Sequence, residues 1–115
     1  MAEKVRVLTI KTGMPSVLEA RARLIAEIAK AKSSGILVLK IIHGYGASGV
    51  GGTLKDGIRA SLRKRRKEGK IRCFVAGEQW ATAEEVAREL LEACPELQRD
   101  TDLNRYNEGI TFVLL

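Results

Sequence analysis

Residues Ile36 to Ile42 read Ile-Leu-Val-Leu-Lys-Ile-Ile, an apolar run broken only by Lys40, and a glycine-rich stretch from His43 to Gly52 follows directly. An unalternating run of that length is the pattern of a strand covered on both faces, as in parallel sheets. It is expected to be the central strand. Around it the chain alternates. Val5 to Ile10 reads as a first strand, and Thr12-Gly13 and Pro15 stop it and open a helix from about Ser16 to Lys32, with Pro in its first turn. In that helix Leu18, Ala22, Ile25 and Ala29 fall at helical spacing, with Leu24 and Ile28 beside them, and this line is expected to be the buried side. A second helix from about Thr53 to Lys67 and a third strand, Ile71 to Val75, complete a βαβαβ order. Thr82 to Cys94 reads as a third helix, with a Thr82/Glu85 capping box, an apolar stripe of Val86, Leu90 and Cys94, and a stop at Pro95; Ile110 to Leu114 is the last strand. The expected fold is therefore α/β: a two-layer sandwich on a small mixed sheet, βαβαββ-like, with an extra helix inserted before the last strand. Residues 1–115 are read as a single domain.

Charge divides the chain where composition does not. Through residue 77 there are 17 Lys/Arg against 5 Asp/Glu, and from residue 78 on there are 3 against 9. A basic portion of this strength favours nucleic acid, an anionic membrane surface or an acidic protein as partner, and the 4% aromatic content argues against a base-stacking platform. Phosphate backbone is the expected target. Residues 78–106 read as an acidic helical insertion, expected either to lie across the basic region or to contact a protein partner. No apolar run approaches the ~20 residues of a membrane span, and the N-terminal stretch has no signal-peptide pattern, so a cytoplasmic location is expected. Cys73 and Cys94 lack metal-site spacing, the chain has one histidine, and neither a metal nor an organic cofactor is assigned; both cysteines read as free thiols.

The glycine-rich stretch carries the candidate chemistry. Gly44-Tyr-Gly46-Ala-Ser-Gly49 matches G-x-G-x-x-G after a strand, with Glu78 beyond the next strand as a ribose ligand, which is the basis of a nucleotide-binding alternative. No G-K-[ST] follows, so a P-loop is not indicated. On the helix after the loop, Lys55, Arg59, Arg63 and Arg66 lie on one line, within an arc of ~80°, and run into Lys64 to Lys67 and Lys70. Such a stripe, beginning beside a helix N-terminus, suits successive phosphates. His43 stands at the carboxyl end of the central strand, where open α/β sheets place ligands. It is read either as a neutral general base toward water or a ribose hydroxyl, or as a side chain that bonds the loop backbone and holds its shape.

The residues Lys40-Ile-Ile-His43-Gly44-Tyr-Gly46, then Gly51-Gly52-Thr-Leu54-Lys55, and the ending Asn107 to Leu115, resemble the small MutS-related (Smr) domain family. The resemblance covers about residues 5–77 and 107–115. It implies a fold similar to the C-terminal domain of bacterial translation initiation factor 3, DNA or RNA binding and, in several members, nicking or endonuclease activity, with a divalent metal in play if the chain is a nuclease. By the H-G-x-G match, His43, Gly44 and Gly46 would form the active loop and Lys55 the basic position after it. The family's first strand typically carries L-D-x-H-G, whereas this chain reads Leu8-Thr-Ile-Lys-Thr-Gly13. Thr9 or Lys11 would then stand as phosphate contacts, and any cleavage would lean on His43. The expected binding set is His43, Gly44, Gly46, Lys55, Arg59, Arg63, Lys64 and Arg66. The rival class is a protein-interaction module, ribosome-associated and without catalysis, using the acidic C-terminal part.

Overall fold

The structure, a computed structural model, describes residues 3–44 and 51–115. Strands β1 (Val5–Thr9), β2 (Val38–Ile42), β3 (Cys73–Ala76) and β4 (Ile110–Leu114) form one sheet in the order β1-β2-β4-β3. β1 is parallel to β2, and β4 is antiparallel to both β2 and β3. The last strand in sequence therefore lies inside the sheet. Helices α1 (Val17–Ser33) and α2 (Gly51–Lys67) follow β1 and β2, and α3 (Glu85–Ala93) comes between β3 and β4, with short 3-10 turns at Gly77–Gln79 and Pro95–Arg99. This is the mixed α/β sandwich expected from the sequence. No helix among the described residues is long and apolar enough to cross a membrane.

The pleat of β2 explains its apolar run. Leu39 and Ile41 point to one face, where they pack with Leu24 and Ile28 of α1 and Ile58 and Leu62 of α2. Val38 points to the other, where Leu90 and Leu91 of α3, Leu97, Trp80 and Phe112 close a second cluster. Residues 78–106 are thus the cover of the second sheet face. The expectation that this segment lies across the basic stripe of α2 is corrected: it docks on the opposite face, because its apolar residues Ala87, Leu90 and Cys94 have the sheet to bury against.

Local chemistry sets the helix boundaries. Ser16 caps α1 in a reciprocal capping box with Glu19, so Pro15 precedes the helix rather than opening its first turn. The box expected at Thr82/Glu85 does not form, since the Thr82 amide donates to the Asn104 side chain and α3 begins at Glu85. The buried face of α1 also differs from the expected one. Ala20, Leu24, Ile28 and Ala31 face the sheet, whereas Leu18 is 79% exposed and Ile25 is 41% exposed. Val17 packs against Gly57 of α2, where any Cβ would collide with it, and this close approach sets the rotation of α1. Both lines have helical spacing, so periodicity does not rank them.

The second face holds a charged group on the sheet itself. Lys40, the interruption in the apolar run, is buried and donates to Asp100 at 2.8 Å and to Asp102 at 2.6 Å. Asp100 also accepts from the Trp80 indole and the Asp102 amide, and Asp102 from Asn107. Trp80 in turn stacks on Phe112 of β4, with ring centroids 4.2 Å apart. The Lys40 ammonium thus pins the segment after α3 to the middle of the sheet. Burial opposes each charge, but the hydrogen bonds outweigh it, raising the Lys40 pKa and lowering that of Asp102.

Removing one partner strands the others as buried, unpaired charge. Lys40→Ala is expected to destabilise the fold by about 3 kcal/mol, read by urea denaturation through the fluorescence of Trp80, the only tryptophan. The Asp102 contribution is complete above its unfolded pKa of about 3.9 and is lost as pH falls through the lower folded value. The Lys40 contribution persists until pH rises through a value above about 10.4. Acid titration of Lys40→Ala should therefore lack the part of the low-pH loss that the native chain shows; an identical acid profile would contradict this account.

Candidate nucleic-acid interface

The carboxyl end of β2 meets the start of β4. The backbone amides of His43 and Gly44 both donate to the Gly109 carbonyl, each at 3.0 Å. Gly44 has φ +79°, which a side chain rarely adopts, and the Lys11 side chain lies across it, so an added Cβ would stand 3.3 Å from Lys11 Cδ. Lys11, from the turn after β1, is therefore brought to the H-G loop as expected from its place in sequence. Gly46 and the rest of the loop to Val50 lie outside the described residues.

The His43 ring is only 2% exposed and both its nitrogens are engaged. Nδ1 lies 2.9 Å from the Gly44 carbonyl and Nε2 lies 2.9 Å from Thr111 Oγ1. A carbonyl can only accept, so Nδ1 carries the proton and Nε2 of the neutral ring accepts from the Thr111 hydroxyl. That hydroxyl in turn accepts from Arg59 Nε at 3.1 Å. Burial is the main reason the His43 pKa is lowered. The charges of Arg59 and Lys55 add to it, against the opposing Gly44 hydrogen bond and Glu78 charge. The imidazole is neutral at neutral pH.

Arg59 departs from the stripe expected of it. Its guanidinium binds both oxygens of Glu78, at 2.9 and 2.8 Å, and donates to the Ile110 carbonyl at 3.2 Å. Five donors in a fixed fork suit this role, which ties α2 to the end of β3 and the start of β4. Burial works against the Glu78 carboxylate, yet its bonds to Arg59 hold it below the usual range. Gly77 makes the approach feasible, since a Cβ there would strike the Asn107 carbonyl. Sequence reasoning had no spacing to join Glu78 to Arg59, and it passed over Thr111; the lone hydroxyl in the run Ile110 to Leu115 was the available signal.

The remaining stripe faces outward. Arg63, Lys64, Arg66 and Lys67 are exposed, Lys55 is half-buried near His43, and none of the five forms an ion pair among the described residues. Arg63, Arg66 and Lys67 line a hollow of about 330 Å³. No three His, Cys, Asp or Glu side chains gather as metal ligands among the described residues. Both cysteines are buried and free, with burial pushing the Cys73 thiol up to about 11, so neither is a ready nucleophile. A family model described as Smr domain matches residues 12–83, well over half of the chain. No curated protein and no solved structure matches it.

The His43 network predicts two linked observations. Because the folded pKa lies below the unfolded value of about 6.5, unfolding takes up a proton as pH falls below that value. Stability should therefore be complete above about pH 6.5 and decline toward the folded pKa. The ring signal of the sole histidine, followed by NMR, should titrate below 6.5; titration at or above that value would refute the assignment. Thr111→Val leaves His43 Nε2 and Arg59 Nε without partners in a buried site and should cost about 2 kcal/mol in a urea titration.

Proposed function

Because this chain belongs to the Smr domain family, we propose that it binds nucleic acid through the phosphate backbone, using the exposed cations of α2 beside the H-G loop. The observation that carries this reading is the run Arg63, Lys64, Arg66 and Lys67, exposed together and, among the described residues, in no ion pair. Like charges this close on a helix cost stability, and a polyanion relieves that cost. In this reading Lys55 and Lys11 extend the positive surface to Gly44, while His43, Thr111, Arg59 and Glu78 hold the loop root in place. Recognition is then of backbone rather than bases, with little sequence preference.

Nicking is the second activity that the family membership suggests, with His43 as its base. The geometry favours a holding role for His43, since its one free lone pair is occupied by the Thr111 hydroxyl. His43→Ala assayed on supercoiled DNA and structured RNA separates the two. Lost cleavage with binding kept within a few-fold assigns His43 to the chemistry; unchanged cleavage assigns it to the scaffold or the chemistry to another group.

With about four phosphates neutralised, log K for duplex DNA should fall with log salt at a slope of about −3.6. Arg63→Ala/Arg66→Ala should weaken binding uniformly across sequences and reduce the slope by about 2. A slope near zero in the native chain, or an unchanged affinity in the double variant, would refute the interface. Arg59→Ala should act instead on stability, since its charge is already spent on Glu78.

A further inference from the structure

Among the described residues, three other than glycine hold left-handed backbone: Met14 at φ +50°, Asn104 at φ +65° and Tyr106 at φ +55°. Asparagine adopts this conformation readily, because its short amide bonds the local backbone. Methionine and tyrosine gain nothing of the kind and bear the crowding at Cβ. The core gives no return for it. Met14 is 94% exposed, Tyr106 is 66% exposed, and neither belongs to either core cluster. A lone exposed apolar side chain is ordinary, but one that also holds strained backbone is a candidate for a contact outside the fold.

Both stand at one end of the sheet. The parallel strands β1 and β2 run out there into the turn from Lys11 to Met14 and into His43-Gly44, and β4, antiparallel to β2, starts there after the segment from Asn104 to Gly109. In the strand order β1-β2-β4 the Met14 turn and the Tyr106 loop therefore flank the root of the H-G loop on its two sides. Each flank is tied to that root. The Met14 amide donates to the Lys11 carbonyl at 3.1 Å, and the Lys11 side chain lies across Gly44. Tyr106 is three residues from Gly109, so their Cα atoms are at most about 11 Å apart, and the Gly109 carbonyl accepts from the His43 and Gly44 amides. The Tyr106 loop is also held on both sides of the ring. The Arg105 amide donates to the Asp102 carbonyl, while the Asn107 side chain donates to Asp102 and accepts from the Gly109 amide.

Arg105 and Glu108, near Tyr106 in the same loop, are exposed and of opposite charge, so this flank has no net attraction for a phosphate. What it presents is a ring, the only exposed aromatic among the described residues. We propose that Tyr106, with Met14 on the opposite flank, takes an unpaired base of a single-stranded nucleic acid whose phosphates lie at Lys11 and Gly44. This rests on the phosphate-backbone reading above and adds the strand type to it. Inside a duplex both faces of a base are already stacked, whereas a single strand can offer one. Stacking accepts every base, so no sequence preference follows.

Single strands of about 20 nucleotides, longer than one binding site, are compared by fluorescence anisotropy in two forms, one with mixed bases and one fully abasic, which carry the same phosphates. Deoxyribose and ribose series are run side by side, and the series with the larger difference names the strand. The native chain should bind the abasic form about tenfold more weakly. Tyr106→Gly should lose most of that difference and Met14→Gly part of it, whereas Tyr106→Phe should keep it, since stacking needs the ring and not the hydroxyl. Because glycine relieves left-handed backbone, both glycine variants should be no less stable than the native chain in urea. Equal affinity of the native chain for the two forms in both series, an undiminished difference in either glycine variant, a loss in Tyr106→Phe, or a glycine variant of reduced stability would each overturn the proposal. Equal, salt-dependent affinity for the two forms leaves the phosphate reading standing; a chain that binds neither these strands nor duplex DNA overturns both.

Discussion

The placement of β4 between β2 and β3 is the constraint on which the rest of the molecule depends. β1 and β2 are joined by a helical crossover of ordinary length, but β2 and β3 are not neighbours and are held in one sheet only because a strand from far along the chain fills the space between them. Antiparallel pairing from both sides gives β4 a full set of backbone partners and buries all five of its residues. The same insertion delivers Gly109 to the amides of His43 and Gly44, and Thr111 to the His43 ring and Arg59. The root of the H-G loop is therefore built from a strand some 65 residues downstream of it.

Two faces of the sheet carry different physical burdens. The α1/α2 face is closed by aliphatic packing and a tight helix pair at Val17 and Gly57. The other face is closed by a segment with nine acids against three arginines from residue 78 on, which buries Trp80, Leu90, Leu91 and Leu97 against the sheet. Lys40 adds to that packing a charge where the docking segment supplies two. Such a pair is weak evidence of added stability, but it fixes the register of what docks. The acidic surface of α3 and the basic surface of α2 meet at one place, where Arg66 lines a hollow of about 740 Å³ together with Glu84, Glu85, Glu89 and Glu92.

Much of this was legible in the residues. The order of elements, the central strand and the helix inserted before the last strand follow from the Ile36–Ile42 run, the glycine stretch and the Thr82–Cys94 periodicity. What escaped was set by contacts between distant segments. The buried line of α1 was chosen by its neighbour α2, not by its own periodicity. Thr82 lost its capping role because Asn104, which is remote in sequence, took its amide. Arg59 looked like its neighbours Lys55 and Arg63 because spacing on α2 cannot reveal that Glu78 waits at the end of β3. In each case a local signal was correct in kind and was redirected by a partner that only the tertiary arrangement supplies.

The late position of β4 also dictates an order of assembly. Until residues 110–114 have emerged from the ribosome, β2 has β1 on one side and an open edge on the other, and β3 has no strand partner at all. Pairings such as Val38 with Leu114 close loops of more than seventy residues, which slows folding and leaves apolar edges exposed in the interval. Of the four strands, the one at the central seam is therefore made last, and a nascent chain held short of that strand is the form most in need of a chaperone.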